Sequence, residues 1–212
     1  MTAMGGKQTF AFHQITGIVL VRSSRMRLVL IVSILLGAAG CAATSQPQYA
    51  GGRSPIGAAE ALIDAFYSFD ANRLSAAMAN APGSQPQIIY YQGWAQGGNY
   101  AIVERKPCRL GGAGEISCDV TVRDDLIAAL RTGYWVTDTF HLTVRDGRIV
   151  KVRTSSNDPP DLDQTLNWLK RERPEVMAGP CQGFFAGGPT PQDCVRAVIA
   201  GFAAYRAANP RG

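Results

Sequence analysis

The sequence predicts an α+β fold, with N-terminal helices packed on a curved antiparallel sheet and a C-terminal helical extension that carries disulfides. Three observations predict it. Tyr134 to Thr154 reads as two strands around a tight turn, because apolar and polar residues alternate with period two. Upstream, Ala59, Leu62, Ile63, Phe66 and Phe69 recur at helical spacing. Downstream, Cys181 and Cys194 bracket a Gly/Pro-rich loop that leads into a last amphipathic helix.

Length and composition fit one globular domain with additions, at 212 residues with 46% hydrophobic and 17% charged. The net charge of +5 comes almost entirely from the N-terminal segment. Four of the 21 basic residues precede Cys41 and no acid does, which leaves 17 basic against 16 acidic in the body. There is no clustered basic stripe, so no nucleic-acid partner is expected.

In chain order, residues 1–40 read as a signal segment. Arg25-Met26-Arg27 precedes LVLIVSILLGAA, an apolar stretch shorter than the about 20 residues of a spanning helix. Met26 is a more natural start than Met1, and an over-long gene reading explains residues 1–25. Ala38-Ala39-Gly40-Cys41 resembles the bacterial lipoprotein box, although its first position usually holds Leu. The resemblance implies lipid attachment at Cys41 and a membrane-anchored, extracytoplasmic envelope protein. Residues 41–53 are small, polar and Gly/Pro-bearing, as in a flexible tether.

Ser54-Pro55 is a helix start, with Ser as cap and Pro at the first position. Asp70 caps a second short helix with Leu74, Ala77 and Met78 inward. Residues 87–98 are read as a helix that ends at Gly97-Gly98, with Ile88, Tyr91 and Ala95 on one face and Trp94 close to it; the alternative is a strand turning at those glycines. Tyr100 to Cys108 and Glu115 to Asp124 are strands, the second with Ile116, Cys118, Val120 and Val122 inward. Asp124 to Leu130 is a short connecting helix.

In the hairpin, Tyr134, Val136, Phe140, Leu142 and Val144 share one face, and Asp138 is the one charged residue on it. A three-residue loop at Arg145-Asp146-Gly147 pairs Val144 with Arg148, Leu142 with Val150, Phe140 with Val152 and Asp138 with Thr154. A two-residue loop at Asp146-Gly147 pairs residues of opposite parity, so the three-residue loop is expected. Residues 157–212 add a helix from Asp161 to Arg173, with Leu162, Thr165, Leu166 and Leu169 inward. A capping box at Thr190 to Asp193 then starts the final helix, with Val195, Val198, Ile199, Phe202 and Tyr205 on one side.

Four cysteines after Cys41 in an exported chain point to two disulfides. Cys108 opposite Cys118 gives pairs whose numbers sum to 226, so Lys106 meets Val120 and Glu104 meets Val122. Cys181 and Cys194 then staple the loop before the last helix. No CxxC, metal-ligand spacing or phosphate-binding Gly loop occurs, so no metal or other cofactor is expected. His141, the one histidine after Cys41, lies on the polar strand face.

IGAAEALIDAFYSFDANRLSAAMA and FHLTVRDGRIVKVRT together resemble the nuclear-transport-factor-2-like superfamily, which includes SnoaL-like polyketide cyclases and ketosteroid isomerases. The resemblance covers residues 54–156; the helical extension 157–212 departs from it. It implies a sheet wrapped into a cone-like, mostly apolar cavity, with Asp138, Glu104, Tyr91 and Trp94 as lining. Asp138 in such a pocket acts as general acid or base; at a strand edge it instead pairs with an Arg or backbone groups. Three functions follow as expectations. The first is a non-catalytic envelope lipoprotein that binds an apolar small molecule or a protein. The second is an isomerase, dehydratase or cyclase using Asp138. The third is a homodimer formed through the outer face at Trp135, Thr137, Thr139, His141 and Thr143.

Overall fold

The computed structural model describes residues 54–210, so the signal segment, Cys41 and the tether through residue 53 lie outside the described residues. Among the described residues there are seven α-helices, one short 3-10 turn and a five-stranded antiparallel sheet that does not close on itself. The helices are α1 (Pro55–Phe66), α2 (Ala71–Ala77), α3 (Gln85–Gly97), α4 (Asp125–Ala129), α5 (Asp161–Glu172), α6 (Pro174–Ala178) and α7 (Gln192–Ala208). The strands are β1 (Ala101–Arg105), β2 (Arg109–Leu110), β3 (Glu115–Arg123), β4 (Val136–Arg145) and β5 (Arg148–Ser156), in the order β1-β3-β4-β5 with β2 paired to β3.

The helix starts follow their caps. Ser54 Oγ accepts from Gly57 N at 3.0 Å, and Asp70 Oδ1 accepts from Asn72 N and Arg73 N. α1 buries Ala59, Leu62, Ile63 and Phe66 and packs across β3, β4 and β5. Its last carbonyls have no partner within the helix, and the buried Gln92 amide fills that need: Nε2 donates to Ala65 O at 3.0 Å and to Phe66 O at 2.9 Å. Gln92 of α3 therefore fixes the chain where α1 ends, immediately before Tyr67. α3 is buried on more sides than its expected stripe, with Tyr90, Gln92 and Trp94 joining Ile88 and Ala95.

The hairpin differs from expectation in an informative way. Arg145 pairs with Arg148 across a two-residue turn in which Asp146 (φ 51) and Gly147 (φ 71) are both left-handed. That turn matches the twist of the flanking strands better than a three-residue loop does. The parity conflict is resolved by a bulge: Val144 faces Ile149 and Thr143 faces Lys151, which leaves Val150 as the extra residue. The pairs beyond it are Leu142–Val152, Phe140–Thr154 and Asp138–Ser156, replacing the expected register. Ile149 and Val152 are consequently the buried residues of β5, and Tyr134 is exposed ahead of β4.

β1 shows the same correction on a smaller scale. Arg109–Ser117 and Leu110–Ile116 keep the 226 sum, but Arg105 meets Val120, Glu104 meets Thr121 and Ile102 meets Val122. The expected continuous strand is interrupted at Lys106-Pro107, since Pro has no N–H to donate to a ladder. Both expected disulfides are present, Cys108–Cys118 and Cys181–Cys194, with Cα atoms 4.3 and 4.6 Å apart. Each such bridge contributes about 2–4 kcal/mol. Arg105 ties β1 to α1 through Glu60 and Asp64, and Glu60 Oε1 accepts from Cys108 N at 2.6 Å.

The C-terminal extension lies on the helices: α7 packs against α3, α4, α5 and α6. Glycines permit the close approach. A Cβ at Gly201 would stand 2.3 Å from Leu169 Cδ1 of α5, and one at Gly97 would meet Gln192 and Val195. The expected capping box does not form. Pro191 takes the cap position without a side-chain bond, and Thr190 Oγ1 instead donates to Tyr90 O of α3.

Candidate functional site

Asp138 is the third residue of β4, between Val136 and Phe140 on the buried face, and it is 1% exposed. Its cross-strand neighbours are Val120 and Ser156. Tyr67, the first residue beyond α1, donates its hydroxyl to Oδ2 at 3.4 Å. Oδ1 is buried and has no hydrogen-bond partner. The Tyr91 hydroxyl lies beside the carboxyl and favours its charged form, without a well-directed bond to Oδ1. Phe66 and Phe140 pack edge-to-face at 4.9 Å, Tyr91 lies 5.3 Å from Phe66, and the Tyr91 and Tyr100 rings meet at 6.3 Å and 89°.

The electrostatics follow from this enclosure. Burial raises the Asp138 carboxyl to about 7; Tyr91 and Tyr67 oppose the shift, and the charges of Asp158 and Asp124 add to it. Burial likewise holds Tyr67, Tyr91 and Tyr100 well above the usual phenol range, with the Asp138 charge contributing to each. The three phenols therefore remain protonated donors, and the carboxyl changes charge near neutral pH.

Of the residues expected to line the site, Asp138 and Tyr91 come together. Glu104 does not join them: β1 pairs Glu104 with Thr121, on the polar side of the sheet, and it is exposed. Trp94 is buried elsewhere, against Phe184 and Phe185 of the C-terminal loop. The strand-edge alternative for Asp138 is not observed, because no Arg or Lys pairs with it among the described residues. Sequence reasoning missed Tyr67 and Tyr100. Each lies one residue outside a regular element, where neither period applies, and each is an aromatic at an element boundary. His141 has its expected polar surroundings, with Nδ1 3.2 Å from Glu115 Oε1 and Nε2 2.8 Å from Ser155 Oγ.

Two grooves are found away from Asp138. One of about 500 Å³ is lined by Gln96, Asn99, Asp125, Gln192 and Arg196. The other, of about 360 Å³, is lined by Asn99, Ala101, Arg123, Asp124, Asp125 and Ala128. Among the described residues no group of three or more His, Cys, Asp or Glu is placed to hold a metal ion, and no helix is long and apolar enough to cross a membrane. Comparison with protein-family models, with curated proteins and with solved structures finds no match.

Proposed function

We propose that this chain is an exported envelope protein, lipid-anchored at Cys41, whose domain over residues 54–156 is nuclear-transport-factor-2-like and binds a mostly apolar small molecule. The ligand presents one hydroxyl to Asp138, donating to its Oδ1, and Tyr67, Tyr91 and Tyr100 surround that polar end. The observation that carries the reading is the buried Oδ1 of Asp138, an acceptor without a donor inside an aromatic interior. A protein fold does not ordinarily leave such an atom unsatisfied unless something else uses it. The two disulfides accord with an oxidising, extracytoplasmic compartment.

Fluorescence titration with 1-naphthol and competition by the saturated alcohol decahydro-1-naphthol test this reading. Saturable binding is expected, weakened about tenfold in Asp138→Asn through one charge-assisted hydrogen bond. Absence of saturable binding by either probe counts against it. A second reading, an isomerase, dehydratase or cyclase, is favoured by the Asp138 carboxyl standing at about 7, where a group both gives and takes a proton. It requires turnover of a β,γ-unsaturated ketone that disappears in Asp138→Asn; binding without turnover leaves the first reading alone.

A further inference from the structure

The outer face of the sheet gathers positive charge that the expected hairpin register divides between two faces. With a three-residue loop, Arg148 sits opposite Val144 and shares its inward face. The observed turn pairs Arg148 with Arg145 instead, and the bulge at Val150 then sets Lys151 opposite Thr143 and Arg153 opposite His141. Ile149 and Val152 take the buried face, so Arg145, Arg148, Lys151 and Arg153 share the outer one, and all four are exposed. Arg109 joins them from β2, opposite Ser117.

Two explanations internal to the fold fall short. Charged side chains on an edge strand guard against sheet extension. Arg145, however, is on the interior strand β4, and Ser84 already blocks part of the β5 edge, its Oγ accepting from Val152 N at 3.0 Å. Local ion pairing accounts for Arg109, held by Asp119 at 2.6 Å, and for Arg153, held by Glu115 at 2.8 Å. With Thr139 on Asp119 and His141 on Glu115, those contacts use both acids that β3 contributes to this face. No acid among the described residues pairs with Arg145, Arg148 or Lys151. Like charges directly opposite in a ladder destabilise it, so the Arg145–Arg148 pair costs the hairpin stability and the sheet alone gives no reason for it.

We propose that this cationic end of the outer sheet face docks on the anionic phospholipid headgroups of the bilayer that holds the Cys41 lipid. The choice of partner rests on the anchor reading above. Residues 42–53 join Cys41 to Ser54, and a stretch of that length spans at most about 40 Å, which keeps the headgroups within reach of the domain. A second copy of this chain fits the face poorly, because a two-fold interface here sets Arg145, Arg148 and Lys151 against the same cations of its twin. An array of phosphates complements them, with the two arginines as bidentate donors and Lys151 as a point charge. Each such cation is worth about fivefold in partition onto an anionic bilayer, so the three together change it by about a hundredfold.

Covalent footprinting of the full chain, extracted intact from membranes and reconstituted into vesicles, tests the docking. One set of vesicles is phosphatidylcholine alone, and the other contains about 30% phosphatidylglycerol. Acetylation by N-acetoxysuccinimide is followed at Lys151 and at Lys170 of α5, which is exposed and outside the sheet. On the anionic vesicles Lys151 is expected to react at least about threefold more slowly than on phosphatidylcholine, with Lys170 unchanged. Salt at about 0.5 M is expected to remove the difference. Arg145→Gln/Arg148→Gln, which alters exposed side chains beside the turn, is expected to lose most of the protection. Equal Lys151 rates on the two kinds of vesicle, whether both free or both shielded by a second copy, overturn the proposal, as does protection unchanged in the double variant. Should the double variant fail to fold, the wild-type rates at low and high salt decide alone. The intact mass of the same sample separates the two readings. A lipid at Cys41 with equal rates sinks this proposal only. No lipid at Cys41 sinks the anchor reading, and the same two kinds of vesicle, mixed with the chain, still decide the docking by the Lys151 rate.

Discussion

At the scale of single residues, Asp138 makes the protein sensitive to pH in a definite direction. Its folded-state value of about 7 lies above the ordinary 3.8, so the proton is held more tightly in the folded chain than in the unfolded one. The stability contributed by that bound proton is complete below about pH 4 and is lost as pH rises through about 7. Asp138→Asn keeps the shape and never ionises, so it lacks this loss. Urea unfolding is expected to show the variant close to wild type at pH 4 and more stable at pH 8, by on the order of 2 kcal/mol. A gap between the two that stays constant with pH contradicts the raised carboxyl. Asp138 was legible from sequence because a lone acid interrupts an apolar alternation. Tyr67 and Tyr100 were not, since their roles depend on where an element stops and not on its period.

At the scale of elements, what was legible reflects local chemistry, and what was not reflects packing. Ser54-Pro55 and Asp70 announced two helices because capping is decided within one turn of chain. Thr190 to Asp193 carried a similar pattern, yet Thr190 is drawn to the Tyr90 carbonyl, a partner 100 positions away. The hairpin was found but its register was not, because the choice between a three-residue loop and a two-residue turn with a bulge at Val150 depends on strand twist. Close helix contact was equally hidden. Gly201 reads as a weak point in α7, whereas it is where α5 and α7 meet, with Leu169 against its bare backbone. Gly201→Val is expected to force the helices apart and lower stability by about 1–3 kcal/mol, with Leu169→Ala restoring part of the loss. Thermal unfolding of both variants checks this, and a neutral Gly201→Val rejects the close contact.

At the scale of the whole described unit, the sheet and α1 hold the buried acid, α3 supplies Tyr91, and the C-terminal extension braces α3 and α4 from the other side. The extension therefore supports the wall behind the site, with Trp94 among the aromatic residues of that brace. The fold class was legible because helical stripes, strand alternation and cysteine parity each persist over many residues. The site was only half legible, because its members come from α3, β4 and the segments beside α1 and β1. Their convergence is a property of tertiary packing. The proposed anchor at Cys41 and the proposed ligand at Asp138 are accessible to one measurement, native mass spectrometry of the chain extracted intact from membranes. The wild-type mass is expected to exceed that of the polypeptide by the lipid at Cys41 plus a releasable apolar small molecule, with the second increment lost in Asp138→Asn. Wild type and Asp138→Asn carrying the same increments, or no releasable molecule in either, would contradict a ligand site at Asp138.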